Sequence, residues 1–310
     1  MAPKLTEATD FAASLRTKAS STGQPDELMV DPNFVEDPVV AKVVEFAIKR
    51  RKNLLLVGPT GCGKSCLAIN VMARLKERGE VFSCDGNTST DELIGKPWAT
   101  TNDKGTGITV TVPGAALRSY KNGKILLLEE VDMAVPDILS SMHRMMETNQ
   151  KFFVCNVGTE EIIPKHKDFA VVGTANTIGT GEDTFMYAGT KPLNQAFMNR
   201  FSLTVVMDYL PPAKETEVLV NKTGIDKTMA DRLVKVANDV RDAANPKRIK
   251  GAPGSAKLAA TISTRDCLEW ADAIIGMSMA PKEASEYAFL GRISEIDADF
   301  IRTFINNRIP

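Results

Sequence analysis

Gly58-Pro59-Thr60-Gly61-Cys62-Gly63-Lys64-Ser65 has the spacing GxxxxGK[ST]. Glycines at that spacing let successive backbone N–H groups aim into one concavity. A helix starting there adds its positive end, so the segment suits a polyanion. Lys64 is expected to reach the β and γ phosphates of ATP, and the Ser65 hydroxyl to ligate Mg²⁺. Gly58 to Cys66 is the predicted nucleotide-contacting run.

Ile125-Leu126-Leu127-Leu128-Glu129-Glu130 is an apolar run that ends in carboxylates. Beside a phosphate loop, the first carboxylate of such a pair holds Mg²⁺ through water and the next polarises the attacking water. Glu129 takes the metal role and Glu130 the catalytic one. The usual first residue is Asp, so Glu129 is a departure. Asn176 follows another apolar run and is placed to bond the γ-phosphate or the water, although an Asn there is also an ordinary turn residue. Arg200, in Asn199-Arg200-Phe201, can reach a neighbouring subunit's ATP or simply lie over Phe201. Arg265 opens a helical stretch and either contacts the same phosphate or is a first-turn charge. His143 and His166 share no visible partner and read as structural or exposed. Met142, Met145 and Met146 read as core packing.

These residues need a scaffold. Apolar runs at 54–57, 81–84, 125–128, 169–172 and 203–207 alternate with helical stretches, among them 39–48, 64–78 and 265–275. That alternation predicts an α/β fold with a central parallel five-stranded sheet flanked by helices. Two stretches, 95–118 and 151–163, read as hairpin inserts, the second turning near Gly158. Pro211-Pro212 breaks the pattern, and Leu233, Val234, Val236, Ala237 and Val240 then keep a helical rhythm. The expected organisation is a flexible tail at 1–30, a core at 31–210 and a small helical lid at 211–310. A short amphipathic helix through Phe11 and Leu15 is the alternative for the tail.

Lys plus Arg is 38 and Asp plus Glu is 39, a balance that argues against a nucleic-acid-coating protein. Lys151, Lys165, Lys167, Lys247, Arg248 and Lys250 still leave room for a local basic patch. The five cysteines form no CxxC pair and read as free thiols. With no run of 18 apolar residues and no leader-like N-terminus, the expectation is a soluble cytoplasmic protein without membrane contact.

Together these motifs resemble the AAA+ ATPases, specifically the MoxR group and within it the cobaltochelatase small-subunit (CobS) family. Glu130-Val131-Asp132-Met133-Ala134-Val135-Pro136-Asp137 is similar to that family's Glu-Tyr-Asp-Ala-Gly-Arg-Pro-Asp. Thr174-Ala175-Asn176-Thr177-Ile178-Gly179-Thr180-Gly181-Glu182-Asp183 is similar to its Thr-Ala-Asn-Thr-x-Gly-x-Gly-Asp. Tyr187-Ala188-Gly189-Thr190, Leu193-Asn194-Gln195 and Asn199-Arg200-Phe201 follow its third motif. Departures are Glu129 for Asp, Val135 for Arg, Ala188 for His and Asn199 for Asp. The resemblance spans about residues 30–275. It implies a P-loop AAA+ fold and a homo-oligomeric ring, a hexamer in the family's usual form, with ATP between subunits. Arg200 would act in trans and Arg265 would be the lid sensor. It also implies hairpins lining the ring's pore or face, and a separate partner bearing a von Willebrand factor A domain.

The leading expectation is a ring ATPase that remodels a partner protein. The alternatives are the motor subunit of a metal chelatase, a nucleic-acid translocase or helicase, and an ATP-gated assembly switch with little hydrolysis.

Overall fold

The computed structural model describes residues 28–102, 105–157, 161–177, 191–244 and 258–310. The expected tail lies outside the described residues except for 28–30. So do the turn near Gly158, the motif residues 178–190 and most of the Gly/Pro/Lys-rich stretch after Ala244.

Helix α1 (Pro38–Lys49) starts where Asp37 accepts hydrogen bonds from the Val39 and Val40 amides and Pro38 presets the first turn. Strand β1 (Leu54–Val57) is wholly buried and runs through the phosphate loop into α2 (Lys64–Arg74). The helix expected over 64–78 stops early. Lys76 adopts φ 55°, and the Lys76 and Glu77 amides turn back to the Ala73 and Met72 carbonyls. That is a left-handed helix stop made without glycine. Strand β2 consequently begins at Gly79 and ends at Ser83.

A short helix, α3 (Thr90–Leu93), precedes the hairpin β3 (Gly95–Thr101) and β4 (Gly107–Pro113). The rest of the stretch expected as hairpin is instead helix α4 (Ala115–Asn122). Strand β5 (Ile125–Glu129) leads into two short helices, α5 (Pro136–Ser140) and α6 (His143–Met146), with Met142, Met145 and Met146 in the core. The second hairpin pairs β6 (Phe152–Cys155) with β7 (Glu161–Pro164). Strand β8 (Ala170–Ala175), helix α7 (Gln195–Met198) and strand β9 (Leu203–Val206) follow.

Five strands form one parallel sheet in the order β2-β5-β8-β1-β9. Alternate residues of each strand face opposite sides. Leu55, Val57, Leu126, Leu128 and Val171 enter one cluster, and Leu54, Leu56, Ile125, Leu127 and Val172 enter the other. Burial on both faces explains the unbroken apolar runs in the sequence. Each fully buried leucine contributes about 2 kcal/mol.

The C-terminal region is helical: α8 (Pro212–Thr223), α9 (Lys227–Ala244), α10 (Thr264–Gly276), α11 (Pro281–Ala288) and α12 (Glu295–Arg308). They share a third cluster around Trp270, whose Nε1 donates to the Pro281 carbonyl at 2.7 Å. No described helix is long and apolar enough to cross a membrane.

Candidate nucleotide site

The chain leaves β1 toward β2 on one side, while β8 leads to β9 on the other. A crevice opens at the carboxyl ends of two strands whose connections diverge in this way, and ligands of parallel sheets settle there. The phosphate loop leaves β1 at that point. Val57 pairs with Ala175, and the Gly58 amide donates to the Ala175 carbonyl at 3.1 Å, so Asn176 lies against the loop.

Gly63 caps α2 in the left-handed region, and Lys64 and Ser65 are the helix's first residues. Lys64 is 8% exposed, and its Nζ donates to the carbonyls of Gly58 (2.7 Å) and Pro59 (3.0 Å) and to Asn176 Oδ1 (3.0 Å). Burial pulls the Lys64 ammonium below its usual range. Arg265 adds to that, while Cys62, Asp132 and Glu130 oppose it. Ser65 is half-buried and Cys66 exposed. Burial pushes the Cys62 thiol up. Thr60 Oγ1 lies 3.4 Å from Asn176 Oδ1.

The two carboxylates at the end of β5 diverge. Glu129 Oε2 accepts from Ser83 Oγ, its cross-strand neighbour, at 2.6 Å. Glu130 sits at φ 53° and its amide donates to Thr174 Oγ1 at 3.1 Å. That conformation costs a non-glycine residue ~1–2 kcal/mol, and such strain clusters at working sites.

Asp132 was outside the predicted catalytic set, although it falls inside the first resemblance motif. It is fully buried, and Oδ2 accepts from the Asn176 amide (2.8 Å), the Thr177 amide (3.0 Å) and Thr177 Oγ1 (3.2 Å). It clips the end of β8 and so holds Asn176 against Lys64. Asp132→Ala leaves two buried donors and one part-buried donor unpaired and is expected to cost about 3 kcal/mol. Asp132→Asn keeps an acceptor and should cost about 1 kcal/mol. Urea unfolding midpoints check the difference, and equal midpoints would dismiss the clip.

The C-terminal helices reach the loop through Ser263. A Cβ on Gly61, whose φ is 72°, would stand 2.5 Å from Ser263 Cβ. Only glycine accommodates both that angle and that approach. Ser263 caps α10, and Arg265 is that helix's second residue. A cavity of about 740 Å³ opens beside the loop, lined by Thr60, Ser263, Arg265, Asp266 and Arg292 among others. It touches the phosphate loop only at Thr60.

Arg200 does not join this cluster. Asn53 Nδ2 donates to the Arg200 carbonyl (3.0 Å), and Asn53 Oδ1 accepts from the Val171 amide (3.1 Å). Asn53 precedes β1, so Arg200 belongs to the amino-end edge of the sheet. The phosphate loop lies a strand length away, roughly 13 Å. The Arg200 side chain is 32% exposed and pairs with Glu147 at 3.1 Å, while its Nε is buried. His143 stacks on Phe197 beside it. Burial lowers its imidazole pKa, the Arg200 charge adds to that, and Glu147 opposes it.

A parallel sheet with a phosphate loop at its switch point, followed by a helical region that touches that loop, defines a P-loop protein of the AAA+ class. Residues 53–201 match the family described as AAA domain (dynein-related subfamily), and residues 215–306 match CbbQ/NirQ/NorQ C-terminal. The aerobic cobaltochelatase subunit CobS of Sinorhizobium sp. is 27% identical over 259 residues, 83% of this chain and 76% of that protein. An uncharacterized protein of Bacillus subtilis, YojN, is 25% identical over 273 residues, 88% of this chain and 82% of its own. The Thermotoga maritima RuvB Holliday junction branch migration motor shares the fold at TM-score 0.50 and 14% identity, over 91% of this chain and 72% of that one. The chain belongs to the MoxR group of AAA+ proteins, near CobS.

Proposed function

We propose that this protein is a Mg²⁺-dependent ATPase that works as a homo-oligomeric ring and remodels a partner protein. One observation carries the ring: Arg200 lies at the opposite end of the sheet from its own phosphate loop. A neighbour's Arg200 would then complete each site.

The residues present suit Mg-ATP. The concave loop at the start of α2 and the buried Lys64 fit phosphates, while Ser65 and Glu129 offer the oxygen donors a hard cation prefers. Bound Mg²⁺ would neutralise charge on the β and γ oxygens. In this reading Lys64 gives up its loop carbonyls for phosphate oxygens, Glu130 orients and deprotonates the attacking water, Asn176 holds the γ-phosphate or that water, and Arg265 senses the γ-phosphate. Catalysis is positioning and charge stabilisation with no covalent step.

Both hairpins present apolar side chains to solvent: Trp98, Ile108 and Val112 on the first, and Phe152 and Ile162 on the second. They are linked where Thr111 Oγ1 donates to the Val157 carbonyl. These surfaces suit contact with the remodelled protein, which by resemblance would carry a separate von Willebrand factor A domain. The likeness to CobS favours a second reading, the motor subunit of a metal chelatase.

Specific ATPase activity is expected to rise with protein concentration as rings assemble. Lys64→Ala, which removes a charge-assisted contact, should weaken ATP binding by about 10- to 100-fold. Activity that is independent of concentration would remove the ring, and undiminished ATP binding by Lys64→Ala would remove the site.

A further inference from the structure

Arg241 occupies the buried face of α9 with 1% of its side chain exposed, and every guanidinium nitrogen is used. Nη1 and Nη2 donate to both carboxylate oxygens of Glu215 at 2.8 and 2.7 Å, and Nε donates to the Ile262 carbonyl at 2.7 Å. Thr264 Oγ1 donates to Glu215 Oε1 at 2.7 Å. The guanidinium lies 3.8 Å above the Tyr209 ring, and the Tyr209 hydroxyl donates to the Thr60 carbonyl in the phosphate loop at 3.0 Å.

A buried ion pair adds little net stability, because desolvation offsets most of its attraction. Its particular contribution is direction. The planar guanidinium fixes the angles of all its donors at once. Here those donors, with Glu215, hold Ile262 and Thr264, the residues on either side of Ser263. Ser263 is the residue packed on Gly61, and Arg265 comes directly after Thr264. The segment is thus held from below by the ion pair and from the front by the phosphate loop, and Tyr209 joins the two supports.

We propose that Arg241, Glu215, Thr264 and Tyr209 are positioning residues that set Arg265 against the phosphate loop. Through them the C-terminal helices register whether a γ-phosphate is present. This rests on the reading of Arg265 as the γ-phosphate sensor.

The test is equilibrium displacement of N-methylanthraniloyl-ADP by ADP and by the slowly hydrolysed analogue ATPγS, on the full chain. Thr264→Val and Tyr209→Phe preserve shape and remove one hydroxyl each. Each should lower the preference for ATPγS over ADP by about fivefold, the size of one lost hydrogen bond. Neither should lower it further in an Arg265→Ala background. A merely structural role would shift the thermal unfolding midpoint and leave the nucleotide preference unchanged. If Arg265→Ala lowers the preference while Thr264→Val and Tyr209→Phe do not, the positioning proposal falls and the sensor reading stands. Effects that add fully to Arg265→Ala also overturn it, since the residues would then act independently. If Arg265→Ala itself changes nothing, the sensor reading falls and the proposal falls with it.

Discussion

Arg200→Ala is expected to lower ATP turnover by about 10³-fold or more while nucleotide affinity stays within about twofold. The expectation comes from where the side chain is held. Asn53 fastens the Arg200 backbone to the starts of β1 and β8, and the Phe201 ring packs on Gly173 in the sheet, where a Cβ would come within 2.9 Å of it. Those anchors prevent the guanidinium from swinging to its own phosphate loop. Its side chain is partly exposed and, among the described residues, is paired with Glu147; in the proposed reading it exchanges that carboxylate for a neighbour's phosphate. A trans-acting arginine makes a demand that a structural one does not. Arg200→Ala and Lys64→Ala proteins should each be inactive alone and regain turnover when mixed. Random assortment of two such subunits in a ring rebuilds about a quarter of the sites. An inactive mixture of two correctly assembled variants would show that Lys64 and Arg200 serve the same chain's site, and the ring mechanism would have to go.

Glu130→Gln should lower turnover by about 10²- to 10⁴-fold and keep ATP bound. Glutamine preserves the shape and the backbone contact to Thr174 but cannot take a proton. The backbone at Glu130 is left-handed, a conformational cost of the kind that clusters at working sites. Filter retention of radiolabelled ATP together with single-turnover kinetics checks both halves of the prediction. Near-normal hydrolysis by Glu130→Gln would remove Glu130 from the role of base and leave the water without an identified acceptor.

The phosphate loop, the apolar strand runs and the carboxylate pair were legible in the sequence because each is written in contiguous residues. Glycines at 58, 61 and 63 encode a local backbone path, and double-sided burial writes an uninterrupted Leu-Leu-Leu. Arg241 carried a weaker signal. It falls on the same helical stripe as Leu233, Val234, Ala237 and Val240, where a charge calls for a buried partner, yet nothing in the chain pointed to Glu215. The left-handed helix stops at Arg51 and Lys76 were invisible, since neither position is the glycine that usually marks one.

Strand order was the decision that only the tertiary structure made. Five apolar runs look alike to a periodicity argument, and no local feature says that β8 inserts between β5 and β1. That insertion brings Asn176 to Lys64 and Asp132 to Asn176. The same sheet sends Arg200 to its far edge and leaves Tyr209, just beyond β9, under the phosphate loop. The sequence determined which chemical groups are available and their local backbone, because short-range sterics and burial period depend only on neighbours along the chain. Which groups meet depended on sheet register and on helix packing over long separations, and those follow from burying the whole set of apolar faces at once.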